Sequence, residues 1–195
     1  LGVEVLDDHL EFWTSQEDQV KASDLLGRLD ANRPIIALAM GAGAGRKRWP
    51  ASRFGQVADD LSERTGAQVL LVGNDDARFG ADEIKKRLKG VVVDLVGETS
   101  IGVVASVLHK ADLLVSNDSG LVHVSAAVGT PVVVVFAHPL DGEPWVVASP
   151  NRYRPWGVPS IVLQPPERIE ECGNRPTCNA ESAHCILAVP EESVV

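Results

Sequence analysis

A lysine in a glycine-rich turn and an aspartate at the start of a helix are the residues best suited to chemistry in this chain. Gly41-Ala42-Gly43-Ala44-Gly45-Arg46-Lys47-Arg48-Trp49-Pro50 follows a short apolar run. Glycines such as Gly43 let backbone N–H groups approach an anion, and Lys47 adds a point charge. Asn117-Asp118-Ser119-Gly120 follows a second apolar run and leads into a helical pattern. The free N–H groups and dipole of a helix start favour an anion, so Ser119 and Gly120 suit phosphate. Asp118 is either an N-cap or a carboxylate that accepts hydrogen bonds from sugar hydroxyls. Gly73-Asn74-Asp75-Asp76 offers acids for ribose hydroxyls, or only a solvated turn. Gly97-Glu98-Thr99-Ser100 offers small polar groups. His123 sits one turn inside the helix after Asp118, where a packed or capping histidine is commoner than a catalyst.

Two familiar labels fail on the first turn. A dinucleotide fingerprint starting at Gly41 requires glycine at 46, where Arg46 stands. A P-loop requires Gly-Lys followed by Ser or Thr, and Gly45 is followed by Arg46.

The elements that position these loops alternate along the chain. Apolar runs rich in β-branched residues at 35–40, 68–73, 91–95, 112–116, 131–137 and 160–164 suit strands buried on both faces. Phe54, Val57, Ala58 and Leu61 fall at helical spacing, as do Ile101, Val104, Ala105 and Leu108. Pro50 suits the first turn of the former helix, and Thr99 or Ser100 caps the latter. An earlier helix is predicted over 16–29, capped by Ser15 with Asp18 in a capping box. Another is predicted over 119–128, ended by Gly129-Thr130-Pro131. This alternation predicts an α/β fold, a doubly wound Rossmann-like parallel sheet. Residues 1–30 read as a linker and covering helix, and 31–195 as the sheet domain with an irregular cysteine-containing tail. With Ala137-His138-Pro139 after the fifth run, five ligand-friendly loops fall at the carboxyl edge of that sheet, where ligands of such folds bind.

Composition narrows the classes of partner. The chain has 195 residues, 45% hydrophobic and 23% charged, an ordinary globular mix. Its formal net charge is −9, which argues against nucleic acid. No apolar run reaches the ~18 residues of a transmembrane helix, and no basic n-region of a signal peptide is visible. The chain opens on Leu1 and its only methionine is Met40, so it reads as an excised fragment. Pro190-Glu191-Glu192-Ser193 reads like the opening of a helix. Cys172, Cys178 and Cys185 have the spacing C-x5-C-x6-C, which fits no standard zinc ribbon. One disulfide or three plain thiols suit that spacing better than a metal.

Taken in order, Lys47-Arg48-Trp49-Pro50, Gly97-Glu98-Thr99-Ser100 and Asn117-Asp118-Ser119-Gly120-Leu121-Val122-His123 resemble the ADP-heptose:lipopolysaccharide heptosyltransferase family, as does the cysteine cluster near the end. The resemblance runs from about residue 33 to 195. It implies one half of a GT-B glycosyltransferase, the C-terminal domain that binds the nucleotide-sugar donor. By the same resemblance, Lys47 contacts the donor's sugar or phosphates and Asp118 holds the heptose. Ser119 and Gly120 bind the diphosphate, Asp75 faces ribose, and Thr99 lies by adenine, with Ser100 and His123 nearby. Where the family often carries Ser or Thr, this chain has Ala42 and Gly43, which leaves backbone contacts only. The implied reaction is a single inverting displacement from ADP-heptose to a lipopolysaccharide core acceptor, with no cofactor and no catalytic metal. The acceptor and general base belong to an N-terminal domain outside this sequence. The implied location is cytoplasmic, or peripheral at the inner membrane. Two other readings stay open: a non-catalytic nucleotide-sugar-binding module, and a GT-B enzyme that prefers another nucleotide such as UDP. Trp49, beside the turn, is the expected optical reporter of ADP.

Overall fold

The structure is a computed structural model that describes residues 8–172 and 178–195. Six parallel strands form one sheet in the order β3-β2-β1-β4-β5-β6. They are β1 (Ile35–Ala39), β2 (Gln68–Val72), β3 (Val92–Asp94), β4 (Leu113–Asn117), β5 (Val132–Val135) and β6 (Ser160–Leu163). All lie within the predicted runs except β4, which extends one residue past its run to Asn117. The helices are α1 (Gln16–Leu26), α2 (Ala51–Thr65), α3 (Arg78–Arg87), α4 (Ile101–Leu108), α5 (Gly120–Ala127) and the short α6 (Pro150–Tyr153).

The period of two along each strand splits the apolar residues between two cores. Ile36, Leu38, Val69, Leu71, Val115 and Val133 face one side, packed by Phe54 and Val57 of α2 and Ile84 of α3. Ala37, Ala39, Leu70, Val72, Leu114 and Val134 face the other, packed by Ala22 of α1, Val104 and Leu108 of α4, and Val122 of α5. Because both faces are covered, the strands read as continuous apolar runs.

Local signals set most helix ends. Ser15 and Asp18 form the predicted capping box, but α1 stops at Leu26, with Gly27 at its C-cap, three residues earlier than the pattern suggested. Pro50 occupies the N-cap of α2. Gly129, at φ 85°, follows α5 as expected. Ser100, rather than Thr99, caps α4 by accepting the Val103 N–H at 3.2 Å. The helix opening expected after Pro190 is a single 3-10 turn, Glu191–Ser193.

No sequence pattern pointed to α3. Its core face is made of Gly80, Ala81 and Ile84, too little apolar surface to mark a stripe. Gly80 replaces bulk with close approach, since a Cβ there would crowd the side chains of Ala51 and Met40. Charge secures the helix to β3: Asp94 accepts from Arg78 at 2.7 Å and from Lys85 at 2.6 Å. Burial pushes the Asp94 carboxyl up. Hydrogen bonds from Lys85 and the Val96 backbone, with the Lys85 and Arg78 charges, outweigh it and hold the pKa below its ordinary value. A carboxyl depressed in the fold contributes stability above its unfolded pKa and loses it as pH falls through the folded one. We therefore expect Asp94→Asn to lower stability at neutral pH by about 1 kcal/mol. Urea melts should show the difference shrinking as pH drops below about 4.

Candidate functional site

The strand order places a topological switch between β1 and β4. Chain leaving β1 runs toward β2 and β3, whereas β4 begins the other half. Loops diverge at such a point and open a crevice beyond the carboxyl ends of the strands. One part of that cleft is lined by Gly41, Ala42, Gly43, Asp75, Thr99, Ser119 and Gly120, among others. The other part lies past β5 and is lined by Lys47, Asp118, His138 and Arg168 together with the three cysteines and His184.

Lys47 and Asp118 meet in the second of these parts. Lys47 Nζ donates to Asp118 Oδ2 at 2.6 Å across 71 residues of sequence. The side chains are 25% and 10% exposed, so the pair is sheltered yet reachable. Asp118 is thus not the N-cap of α5; Ser119 takes that position. Ser119 Oγ lies 3.2 Å from Ser116 Oγ and makes no capping bond; the Val122 N–H bonds the Ser119 carbonyl at 3.2 Å, while the Gly120 and Leu121 N–H groups ahead of it have no side-chain cap. An ammonium, a carboxylate and a helix start are the groups that a phosphate next to a polyol would need.

Buried polar bonds fix the lysine turn. Asn117, fully buried at the end of β4, accepts the Trp49 N–H at 3.0 Å and donates from Nδ2 to the Met40 carbonyl at 2.6 Å. It ties both ends of the glycine-rich segment to the strand that carries Asp118. Within the segment, Gly45–Lys47 is a 3-10 turn. The Lys47 and Arg48 N–H groups are spent on the Ala44 and Gly45 carbonyls. Asp76 accepts the Ala42 N–H at 3.1 Å and faces the Arg48 guanidinium at 3.3 Å. The loop is therefore less open to an anion than its glycines suggested, and Asp76, which borders the same part of the cleft as Asp75, also holds the loop in place.

Asp75 and Thr99 border the cleft as anticipated, with Gly97 between them. Gly97 has φ 74°, and a Cβ there would collide with Asp75 Oδ1. Ser100 and His123 border neither part of the cleft, which corrects their expected placement. Ser100 is occupied in capping α4 and reaches Asp18 at 3.5 Å. The His123 ring stands edge-on to Tyr153, with 6.4 Å between centroids. Trp49 also lies outside the cleft, buried with its Nε1 donating to the Val189 carbonyl at 2.9 Å. Its fluorescence is a poor direct reporter of a ligand.

Residues 3–175 match the family model for glycosyltransferase family 9 (heptosyltransferase). The chain belongs to glycosyltransferase family 9. Lipooligosaccharide heptosyltransferase 2 of Haemophilus influenzae is 30% identical over 126 residues, covering 62% of this chain and 36% of that protein. In fold, the chain is similar to a family 9 glycosyl transferase from Veillonella parvula, with TM-score 0.76 and 23% identity over 95% of this chain and 51% of that one. It is also similar to ADP-heptose lps heptosyltransferase II of E. coli, with TM-score 0.70 and 22% identity over 94% and 50%. The chain thus spans about half the length of these two solved relatives.

In this family 9 chain, the far wall of the cleft holds groups that the sequence reading did not assign. His138 follows β5. Burial, with some help from the Arg168 guanidinium, holds its imidazole below the ordinary histidine value despite the Gly142 backbone and Asp141. The tail supplies the rest. Gly45 lies against the tail so closely that a Cβ would strike the Glu181 carbonyl. Arg53 donates to the Leu187 and Val189 carbonyls at 2.8 and 2.6 Å. All three cysteines are free. Burial and the adjacent Cys185 and Cys178 thiols push the Cys172 thiol up to about 12. Only a three-dimensional path brings this tail beside Lys47, so no local signal announced it.

Proposed function

We propose that the cleft binds ADP-heptose, or a similar nucleotide-sugar, as the donor domain of an inverting heptosyltransferase. The domain spans residues 31–195, and residues 1–30 serve as linker and cover. The observation that carries this reading is the Lys47–Asp118 pair at 2.6 Å, set beside the start of α5 at the switch point of the sheet. Family membership and the E. coli relative named for ADP-heptose support it.

In this reading the nucleoside lies in the part lined by Gly41, Asp75 and Thr99, with Asp75 toward ribose and Thr99 toward adenine. The diphosphate meets the Ser119 and Gly120 amides. From the first loop, Ala42 and Gly43 form the floor, and contacts fall to the amides between Gly43 and Arg46. The sugar lies toward Asp118 and His138. Lys47 has three donors, so it can keep Asp118 and still bond a phosphate oxygen. As an acceptor hydroxyl displaces the diphosphate at the anomeric carbon, negative charge grows on the leaving oxygens. The ammonium and helix amides are already aimed there and need little reorganisation. No general base is assigned within this chain. A lipopolysaccharide core acceptor, held by a second domain, completes the proposal. No helix among the described residues is long and apolar enough to cross a membrane; a cytoplasmic position near the inner membrane belongs to the proposal.

Calorimetric titration tests the donor assignment. ADP and ADP-sugars should bind in one-to-one stoichiometry and more tightly than UDP. Equal or tighter binding of UDP would redirect the assignment to another nucleotide, and no binding of either would reject it.

A further inference from the structure

We propose that Cys172, Cys178, Cys185 and His184 form a four-ligand site for one divalent transition-metal ion, zinc by the character of its donors. The sulfurs of Cys172 and Cys178 and a ring nitrogen of His184 all lie within 4.8 Å of one another. Cys185 completes the group, with its Sγ 3.6 Å from Cys172 Sγ and 3.0 Å from His184 Nδ1. Cys178 Sγ lies 2.9 Å from His184 Nε2. A disulfide would need its sulfurs about 2.05 Å apart. Two thiolates on one tetrahedral zinc, each at about 2.3 Å, stand roughly 3.8 Å apart. The Cys172–Cys185 separation is the second kind.

The surroundings support ligands rather than spare thiols. Backbone N–H groups point at two of the sulfurs: Ile169 at Cys185, 3.5 Å, and Ala180 at Cys178, 3.4 Å. Such bonds orient the sulfur, as outer partners of metal ligands do. Two 3-10 turns, Glu170–Cys172 and Cys185–Ala188, present three of the four groups on ordered backbone. His184 is held at the start of the second turn, where Nδ1 accepts the Cys185 N–H at 2.6 Å. That leaves Nε2 facing Cys178; metal binding by Nε2 would move the ring proton to Nδ1, exchanging the bond from the Cys185 N–H for one toward the Cys185 sulfur, 3.0 Å away. Three thiolates and one imidazole are a soft, closed set, typical of structural zinc and suited to ferrous iron in the same geometry. The sequence spacing hid this because His184 and Cys185 are adjacent, unlike the paired ligands of a zinc ribbon.

The site has a structural consequence. It joins the segments before and after residues 173–177 into the tail that packs on Gly45 and anchors Trp49 and Arg53. The ion therefore holds the wall against which the Lys47 turn rests, and takes no part in bond making.

The chain, purified reduced and without chelator, should carry about one zinc or iron ion by elemental analysis, as a closed site predicts. Cobalt substituted into the stripped chain should give the intense visible bands of tetrahedral thiolate coordination. Cys178→Ser, at a half-exposed position, should reduce the metal content several-fold with the far-UV circular dichroism unchanged. Should that variant fail to fold, the metal content and cobalt spectrum of the unaltered chain decide alone. A chain with three titratable thiols that takes up less than about 0.1 zinc would overturn the proposal. So would a disulfide in the chain as isolated from reducing cells.

Discussion

Asp118→Ala and Lys47→Ala should each weaken donor binding, or turnover of an enzyme carrying this domain, by about ten-fold or more. Each removes a charge-assisted hydrogen bond worth roughly 1.5–3 kcal/mol, and about 1.4 kcal/mol is ten-fold. The pair's geometry sharpens the expectation. The two side chains touch at 2.6 Å, so their losses should not add, and the double variant should fall short of the summed singles. Asp118→Ala should keep its stability to within about 1 kcal/mol, because Lys47 is 25% exposed and water can replace its partner, whereas Lys47→Ala strands a carboxylate only 10% exposed and should cost more. Asp118→Asn keeps the shape and loses the charge, so it should fall between wild type and alanine. Calorimetry and a urea melt on each variant give both numbers. Unchanged affinity in both single variants would remove these residues from the site.

Asn117→Ala should produce the second large effect, on the fold first and binding second. It leaves the Trp49 N–H and the Met40 carbonyl buried without partners. At roughly 1–3 kcal/mol for each of the two stranded groups, the expected loss is about 2–6 kcal/mol, toward the lower end if the vacated space admits water. A domain of ordinary stability survives that. Donor affinity should fall as well, since Trp49 lies two residues from Lys47 and its tether is gone. A shift below about 0.5 kcal/mol in the unfolding free energy would mean that Asn117 does not secure the turn.

The contrast between these predictions shows what the sequence made legible. The strands were readable because a parallel sheet buried on both faces must be written in unbroken β-branched runs. Helices α2 and α4 were readable from apolar spacing, and α1 from Ser15 and Asp18. Lys47 and Asp118 were named from residue type and loop position, and the fold brings them together. Asn117 stood inside the same motif unassigned, because its role depends on Met40 and Trp49, which only tertiary structure places beside it. The α3 helix was missed because glycine and alanine, not large apolar residues, make its contact face. Ser100 was taken for a ligand residue when its own helix start consumes it, a local competition that leaves Thr99 to border the cleft. The convergence of the three cysteines and His184 was not legible for a similar reason: sequence spacing measures adjacency along the chain, whereas these groups meet from two turns and a loop.

A crystal structure of the chain with ADP bound is the most direct test of the central claim. The diphosphate should lie at the start of α5, within hydrogen-bonding distance of the Ser119 and Gly120 amides and of Lys47 Nζ. The adenosine should lie along Gly41, Asp75 and Thr99. A diphosphate seated elsewhere, with the Lys47–Asp118 pair untouched, would contradict it.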